Sequence, residues 1–347
     1  MAYSVEVSLR GTQGIPSMKY NRYRRQGATP AHFMQHLPIY LILGALSLAA
    51  ADRDPLTGVE SRPLAPVTAR ATNLYYHFSN FTADDRFIIL AVDGQVCAYE
   101  LAAGRLERLT GGEGIAAAAA APHPSLPELI YYWRQAALIE LNLSTRRERR
   151  VGEAPPALAG GYGQPTFSPD LRRITLAFQR DAHNWETGLM ELATGAYRRV
   201  LAQGFRIGHV QHHPREDKIF YVWETGGYAP QRTWLVNADG SANRPFYART
   251  DPKTWFTPLK EWVTHEAWIP GTGGMTLILD KAGILVAGSE GEAQLLPGDY
   301  WHVAARADGK VLVADDAAYA NGLAENLAPL VAQLAAGYDA VLAAAST

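Results

Sequence analysis

Six segments of the chain repeat one pattern, a turn-forming cluster followed by a nearly continuous apolar run. They read FTADDRFIILAV, HPSLPELIYYW, FSPDLRRITLAF, HHPREDKIFYVW, WIPGTGGMTLIL and ARADGKVLVAD. Short apolar runs bounded by Gly, Pro and Asp are strand signals. An alternating strand follows in four of the units, as CAYEL, LIELNL, GLMEL and TWLVNADG. Units close on a small residue with Arg four positions later: Gly58/Arg62, Gly104/Arg108, Gly195/Arg199 and Gly240/Arg244. Arg146/Arg150 is a degenerate copy and Gly291 lacks its Arg; adjacent copies lie 42 to 51 residues apart.

A period of ~40–50 residues with several strands apiece marks β-propeller blades, sheets too small to bury both faces alone. An irregular β-sandwich has turns every ~8–12 residues but no such long period. The pattern predicts an all-β propeller over 52–316 with six recognisable blades, or a seven-bladed ring whose last blade is incomplete. DPLTGVESRPL at 54–64 has no inner strands before it. It is expected to form the outer strand of the last blade and close the ring. Beyond 316 the pattern stops, and 317–347 reads as a helical tail with Leu323, Leu327, Leu330, Val331 and Leu334 on one face.

Residues 1–51 read as a leader. The uncharged run LPIYLILGALSLAAA at 37–51 follows a basic stretch, Lys19 to Arg25, and ends on three alanines. A signal peptide is the favoured reading and implies a periplasmic or secreted protein. The other readings are a buried helix or a mis-assigned start, Met18 or Met34 leaving a more ordinary leader; without a real leader the protein is expected to be cytoplasmic. The run is shorter than the ~20 residues a membrane helix needs, so no stable membrane insertion is expected once the leader is removed.

Composition narrows the function classes. With 48% hydrophobic residues the chain can bury a core, and 32 basic against 34 acidic residues offer nucleic acid no broad footprint. Cys97 is the single cysteine, which excludes an internal disulfide and any multi-cysteine metal site. In VCAYEL it reads as an inert buried thiol.

Several segments, in order, resemble the oligogalacturonate lyase family, metal-dependent propellers that cleave short pectin fragments by β-elimination. DPLTGVESRPL and LYYHFSNFTADD resemble its opening, IGHVQHHP its Leu-Gly-His segment, and QRTWLVNADGS and THEAWIPG two further blade motifs. The resemblance implies that His209 is the general base and that His265 is a manganese ligand. His302 matches a family histidine of unassigned role. The family completes its metal site with Gln-x-x-His-Pro-His in the last blade. No such segment follows His302, and Pro122-His123-Pro124 in an early blade is no substitute. The resemblance therefore implies an incomplete Mn²⁺ site, or one for another divalent cation, and little lyase turnover.

β-Elimination from a uronate needs the carboxylate neutralised, a base for the C5 proton, and a stabilised enolate-like intermediate. A neutral imidazole suits the base at neutral pH. Arg232, before Trp234, and Arg180, in a long connection, are candidates for gripping the carboxylate; an ordinary ion pair between blades is the other reading for Arg232. His77, on the aromatic strand Tyr75 to Phe78, is either a hydrogen-bonded core histidine or a substrate contact. Of the eight Trp, Trp223, Trp255 and Trp268 are the candidates for stacking sugars. His212 and His213 point to opposite sides of a strand, so one at most could ligate a metal, and a solvated turn is the favoured reading. The expected partner is an acidic oligosaccharide. The competing class is a non-catalytic periplasmic propeller that binds a protein or glycan. A serine-peptidase cap is a third, without a Gly-x-Ser-x-Gly elbow to support it.

Overall fold

The computed structural model describes residues 52–53, 60–61, 63–66, 68–75, 77–158, 161–225, 229–248, 262–289, 293–298, 303–305 and 311–312. These are all β, without a helix. Five antiparallel four-stranded sheets follow one another, each with its strands in chain order. The first blade holds Ala71–Asn73, Phe87–Val92, Gln95–Glu100 and Arg105–Arg108. The second holds Ile115–Pro122, Leu129–Arg134, Ala137–Asn142 and Glu148–Glu153. The third holds Thr166–Phe167, Arg173–Gln179, Trp185–Glu191 and Tyr197–Gln203. Ile207–His212, Lys218–Trp223, Thr233–Asn237 and Arg244–Pro245 form the fourth. Val263–Trp268, Gly274–Leu279, Gly283–Gly288 and Ala293–Pro297 form the fifth.

Continuous apolar runs fall on the second strands because those strands are covered on both faces. Alternate side chains then serve different neighbours. Ile130 and Tyr132 pack toward the first blade while Tyr131 and Trp133 pack toward the third. Ile219 and Tyr221 likewise meet the third blade, and Phe220 and Val222 the fifth. The core is thus a series of seams between blades. Fourth strands such as Arg105–Arg108 and Glu148–Glu153 lie at the exposed outer edge and carry the charge.

Two features depart from the sequence expectation. The blade count is five four-stranded sheets among the described residues, not six. The segment read as a sixth blade contributes the two-residue ladder Ala304–Ala305 with Val311–Leu312, and Val303 packs on Ile269, Ile278 and Ile284 of the fifth blade. A period counted from turn-plus-strand openings scores such a unit as a blade whether or not outer strands join it. Among the described residues, the 54–64 segment is seen at Glu60–Ser61, which pairs with Asp52–Arg53 as a separate two-stranded ladder rather than with a last blade. The leader and the predicted tail at 317–347 lie outside the described residues.

His212 shows how the seams are closed. Its Nδ1 accepts from Thr175 Oγ1 at 2.9 Å and its Nε2–H donates to Asp217 at 3.1 Å, linking the third and fourth blades. His213 caps the next turn, its Nδ1 accepting from the N–H groups of Arg215 and Glu216. Both rings are buried rather than solvated. Burial outweighs the pull of Asp217 and drops the His212 pKa from 6.5 to about 4. The unfolded chain therefore binds this proton at a higher pH than the folded one. Stability is complete above the ordinary value and is lost as pH falls toward about 4. That loss should reach up to about 3 kcal/mol at 1.36 kcal/mol per unit. Thermal melts at pH 7.5 and pH 5 should differ less in His212→Gln than in the wild type; an equal difference would show the ring is not the titrating group.

Candidate functional site

A cavity of about 1230 Å³ lies where the first strands of the first four blades, or the residues just before them, converge. An alanine wall, Ala116 to Ala119, forms one side, and Tyr75, His77, His209 and Glu224 gather on another. The bulge in the fourth blade brings His209 there. Register shifts between Gly208 and Gln211, and His209 takes φ of 45° in the left-handed region. A bulge interrupts the strict alternation of side chains and re-aims one of them. The fifth blade repeats this device: register shifts between Thr264 and Ala267, and His265 has φ of 52°. The two histidines therefore occupy equivalent positions in adjacent blades.

His209 is held from behind by a buried ion pair. Its Nδ1 lies 2.6 Å from Glu266 Oε2, and the other oxygen of Glu266 accepts from Arg232 Nε at 2.6 Å. Glu266 is 0% exposed and Arg232 is 2% exposed. Burial works against the Glu266 charge, but the His209 hydrogen bond and the Arg232 guanidinium outweigh it and hold the pKa at about 2. A carboxylate on Nδ1 selects the tautomer with its proton there, so neutral His209 carries its lone pair on Nε2. Nε2 lies 3.2 Å from the Tyr75 hydroxyl and 3.4 Å from Glu224 Oε2. Gln211 braces the strand by donating to the Glu266 carbonyl at 2.8 Å. Burial, then the neighbouring His209, pushes the His77 pKa well below the ordinary value. His77 therefore enters the wall as a neutral ring, packed on Phe78 at 4.1 Å and edge-on to Tyr75 at 5.2 Å.

Gly208 is required by this packing. A Cβ there would lie 2.5 Å from Glu224 Oε2 and 3.0 Å from Glu224 Cβ. Gly208→Ala should cost about 1–3 kcal/mol by overpacking and displace Glu224 from His209. Denaturant unfolding checks the first effect, and an unshifted midpoint would refute the crowding.

The sequence candidates separate into groups. His209 and His77 line the cavity, with ring centroids 5.8 Å apart. Arg232 sits behind His209, in the pair with Glu266 and 3.8 Å from Glu224, rather than facing the cavity. Arg180 is exposed, with its guanidinium on the Pro156 carbonyl at 3.4 Å. Trp223 stacks on Phe205 at 4.6 Å, and Trp268 packs on His213 at 4.5 Å and on Phe246 at 5.7 Å. None of these three lines the cavity. His302 and Trp255 lie outside the described residues. Sequence reasoning missed Glu266 as the partner of His209, and also Glu224 and Tyr75 beside its Nε2. An acidic residue between Val263 and Trp268, in a strand flanked by apolar positions, was the available signal, because a buried carboxylate demands a partner.

Manganese fits poorly with what is described. Among the described residues no group of three or more His, Cys, Asp or Glu side chains is arranged to hold a metal ion. No step below is routed through a cation.

No family model matches the chain. A stretch of 46 residues, 13% of the chain, is 59% identical to the electron transfer flavoprotein subunit alpha of Pseudomonas aeruginosa. The match spans only 15% of that curated protein, too small a share to carry its activity over. Solved structures are similar over far more of the chain. An oligogalacturonate lyase in complex with manganese has a TM-score of 0.65 at 20% identity, over 78% of each chain. An oligogalacturonate lyase from Vibrio parahaemolyticus has a TM-score of 0.62 at 20% identity, over 77% of this chain and 78% of that one. A prolyl endopeptidase structure gives 0.51 at 15% identity, with 73% of this chain spanning 40% of that longer one. At these identities the likeness establishes the fold: the chain is a β-propeller of the architecture those lyases share.

Proposed function

We propose that this propeller is a lyase-like enzyme that opens short acidic uronate oligosaccharides of the pectin type by β-elimination, with His209 as the base. The observation that carries this reading is the orientation of His209. The buried Glu266 and Arg232 pin its Nδ1, and Nε2 faces a cavity of about 1230 Å³. In the step assigned to it, the Nε2 lone pair takes the C5 proton of the uronate. The C5–H electrons form the C4–C5 double bond, and the C4–O bond breaks, its oxygen leaving with a proton from solvent. Glu266 stabilises the imidazolium that forms, without itself taking the proton. Tyr75 donates to Nε2 in the resting state and so aims the lone pair. The likeness in fold to two oligogalacturonate lyases supports the substrate class.

Manganese is the cofactor this reading borrows from the neighbouring lyase. When bound it would neutralise the uronate carboxylate, and the described residues leave that task unfilled. Turnover should therefore be slow. Oligogalacturonide bound by the protein but never cleaved, with or without Mn²⁺, would replace this reading by the non-catalytic glycan binder. Calorimetry paired with an ultraviolet assay for the unsaturated product separates the two.

A further inference from the structure

The Tyr75 hydroxyl lies 3.2 Å from His209 Nε2, the atom assigned to take the proton. Glu224 Oε2 also stands close to that nitrogen, at 3.4 Å, but a carboxylate accepts hydrogen bonds without donating them. Tyr75 is therefore the donor of the two. Its side chain lines the cavity and is half exposed, so a bound sugar can reach it. Its backbone is fixed on both sides: Leu74 is buried against the first blade, and the Tyr75 carbonyl accepts from Phe78 N at 2.9 Å. Partial burial, then the charges of Glu224 and Glu266, raises the phenol pKa above its ordinary value, so Tyr75 holds its proton at neutral pH. A hydroxyl rotates to suit its acceptor, and a bound sugar oxygen can take the place of Nε2.

This contact has a stereochemical consequence. In a 4-linked uronate the proton leaves from C5 and the sugar oxygen from the adjacent C4. A base and a donor in hydrogen-bond contact can serve both only when the C5 hydrogen and O4 lie on one face of the ring. In galacturonate they lie on opposite faces, so Tyr75 is misplaced for its leaving oxygen and solvent supplies that proton, as assigned above. In mannuronate and glucuronate, whose C4 configuration is the reverse, they lie on the same face. We propose that the Tyr75–His209 pair gives this site a further activity, syn β-elimination of 4-linked uronates of the manno or gluco type, with Tyr75 as the catalytic acid. This rests on reading His209 as an eliminating base. Nε2 takes the C5 proton, the C5–H electrons form the C4–C5 double bond, and O4 departs with the Tyr75 proton. The imidazolium then returns its Nε2 proton across the same 3.2 Å to the phenolate, so both side chains end as they began.

Tyr75→Phe removes the donor and keeps the ring. The decisive comparison incubates wild-type and Tyr75→Phe protein with oligomannuronate and, separately, with oligogalacturonate under the same conditions. Both sugars yield the C4–C5 double bond, so one ultraviolet assay reads both. The wild type should convert oligomannuronate faster than oligogalacturonate. Tyr75→Phe should lose about 10²–10⁴-fold on oligomannuronate, the usual worth of a general acid, and change little on oligogalacturonate. Conversion of oligogalacturonate but not of oligomannuronate by the wild type would overturn the syn activity and leave the lyase reading standing. A Tyr75→Phe loss equal on both sugars, or no loss on oligomannuronate, would overturn the assignment of Tyr75 as the acid. Conversion of neither sugar would overturn this activity and the lyase reading together.

Discussion

Arg232→Met should destabilise the fold by about 3–5 kcal/mol, the cost of leaving one member of a buried ion pair without its partner. Arg232 is 2% exposed and Glu266 0%, so water cannot replace the lost guanidinium without opening the seam between the fourth and fifth blades. Glu266 would keep the His209 hydrogen bond on its carboxylate, while the Gln211 bond reaches its backbone carbonyl and does nothing for the charge. Removing the charge as well, in Arg232→Met with Glu266→Gln, should restore a large part of the loss, because the penalty comes from the uncompensated carboxylate and not from the missing arginine packing. Denaturant unfolding of the two variants checks this. A single replacement costing under about 1 kcal/mol would place the pair among surface ion pairs, which contribute little, and would contradict the burial described.

The propeller was legible because its signal is redundant. FIILAV, LIYYWR and KIFYVW are continuous apolar runs, and continuity over so few residues is what a strand covered on both faces requires. Blade number was less legible. KVLVAD has the composition of a second strand, and among the described residues it is represented by Val311–Leu312, paired with Ala304–Ala305. Four-stranded completion depends on contacts far along the chain, which local composition does not encode. The site divides similarly. His209 and His265 stood out through the segments IGHVQHHP and THEAWIPG, while Glu266 did not. The reason is geometric: a bulge in each of these strands breaks the period of two. No alternation rule could then say that Glu266 turns inward to meet His209, which lies 57 residues earlier. Arg232 was legible as a carboxylate partner, but its carboxylate belongs to the protein.

His209→Ala should remove the base while leaving the seam largely intact, since His209 stands at the cavity wall and its Glu266 partner keeps Arg232. General-base removal is worth about 10²–10⁴-fold in rate, so a slow parent reaction would fall to the buffer background. Glu266→Gln should lower the rate less, because the amide can still orient the ring but no longer stabilises the imidazolium with a charge. The central claim, that His209 takes the C5 proton of an acidic sugar in this channel, is tested most directly by incubating wild-type protein and His209→Ala with oligogalacturonides and Mn²⁺ and following the ultraviolet absorbance of the C4–C5 double bond. The account predicts slow product formation by the wild type and none above background from His209→Ala. Equal rates from the two proteins, or bound oligosaccharide that the wild type never converts, would contradict it.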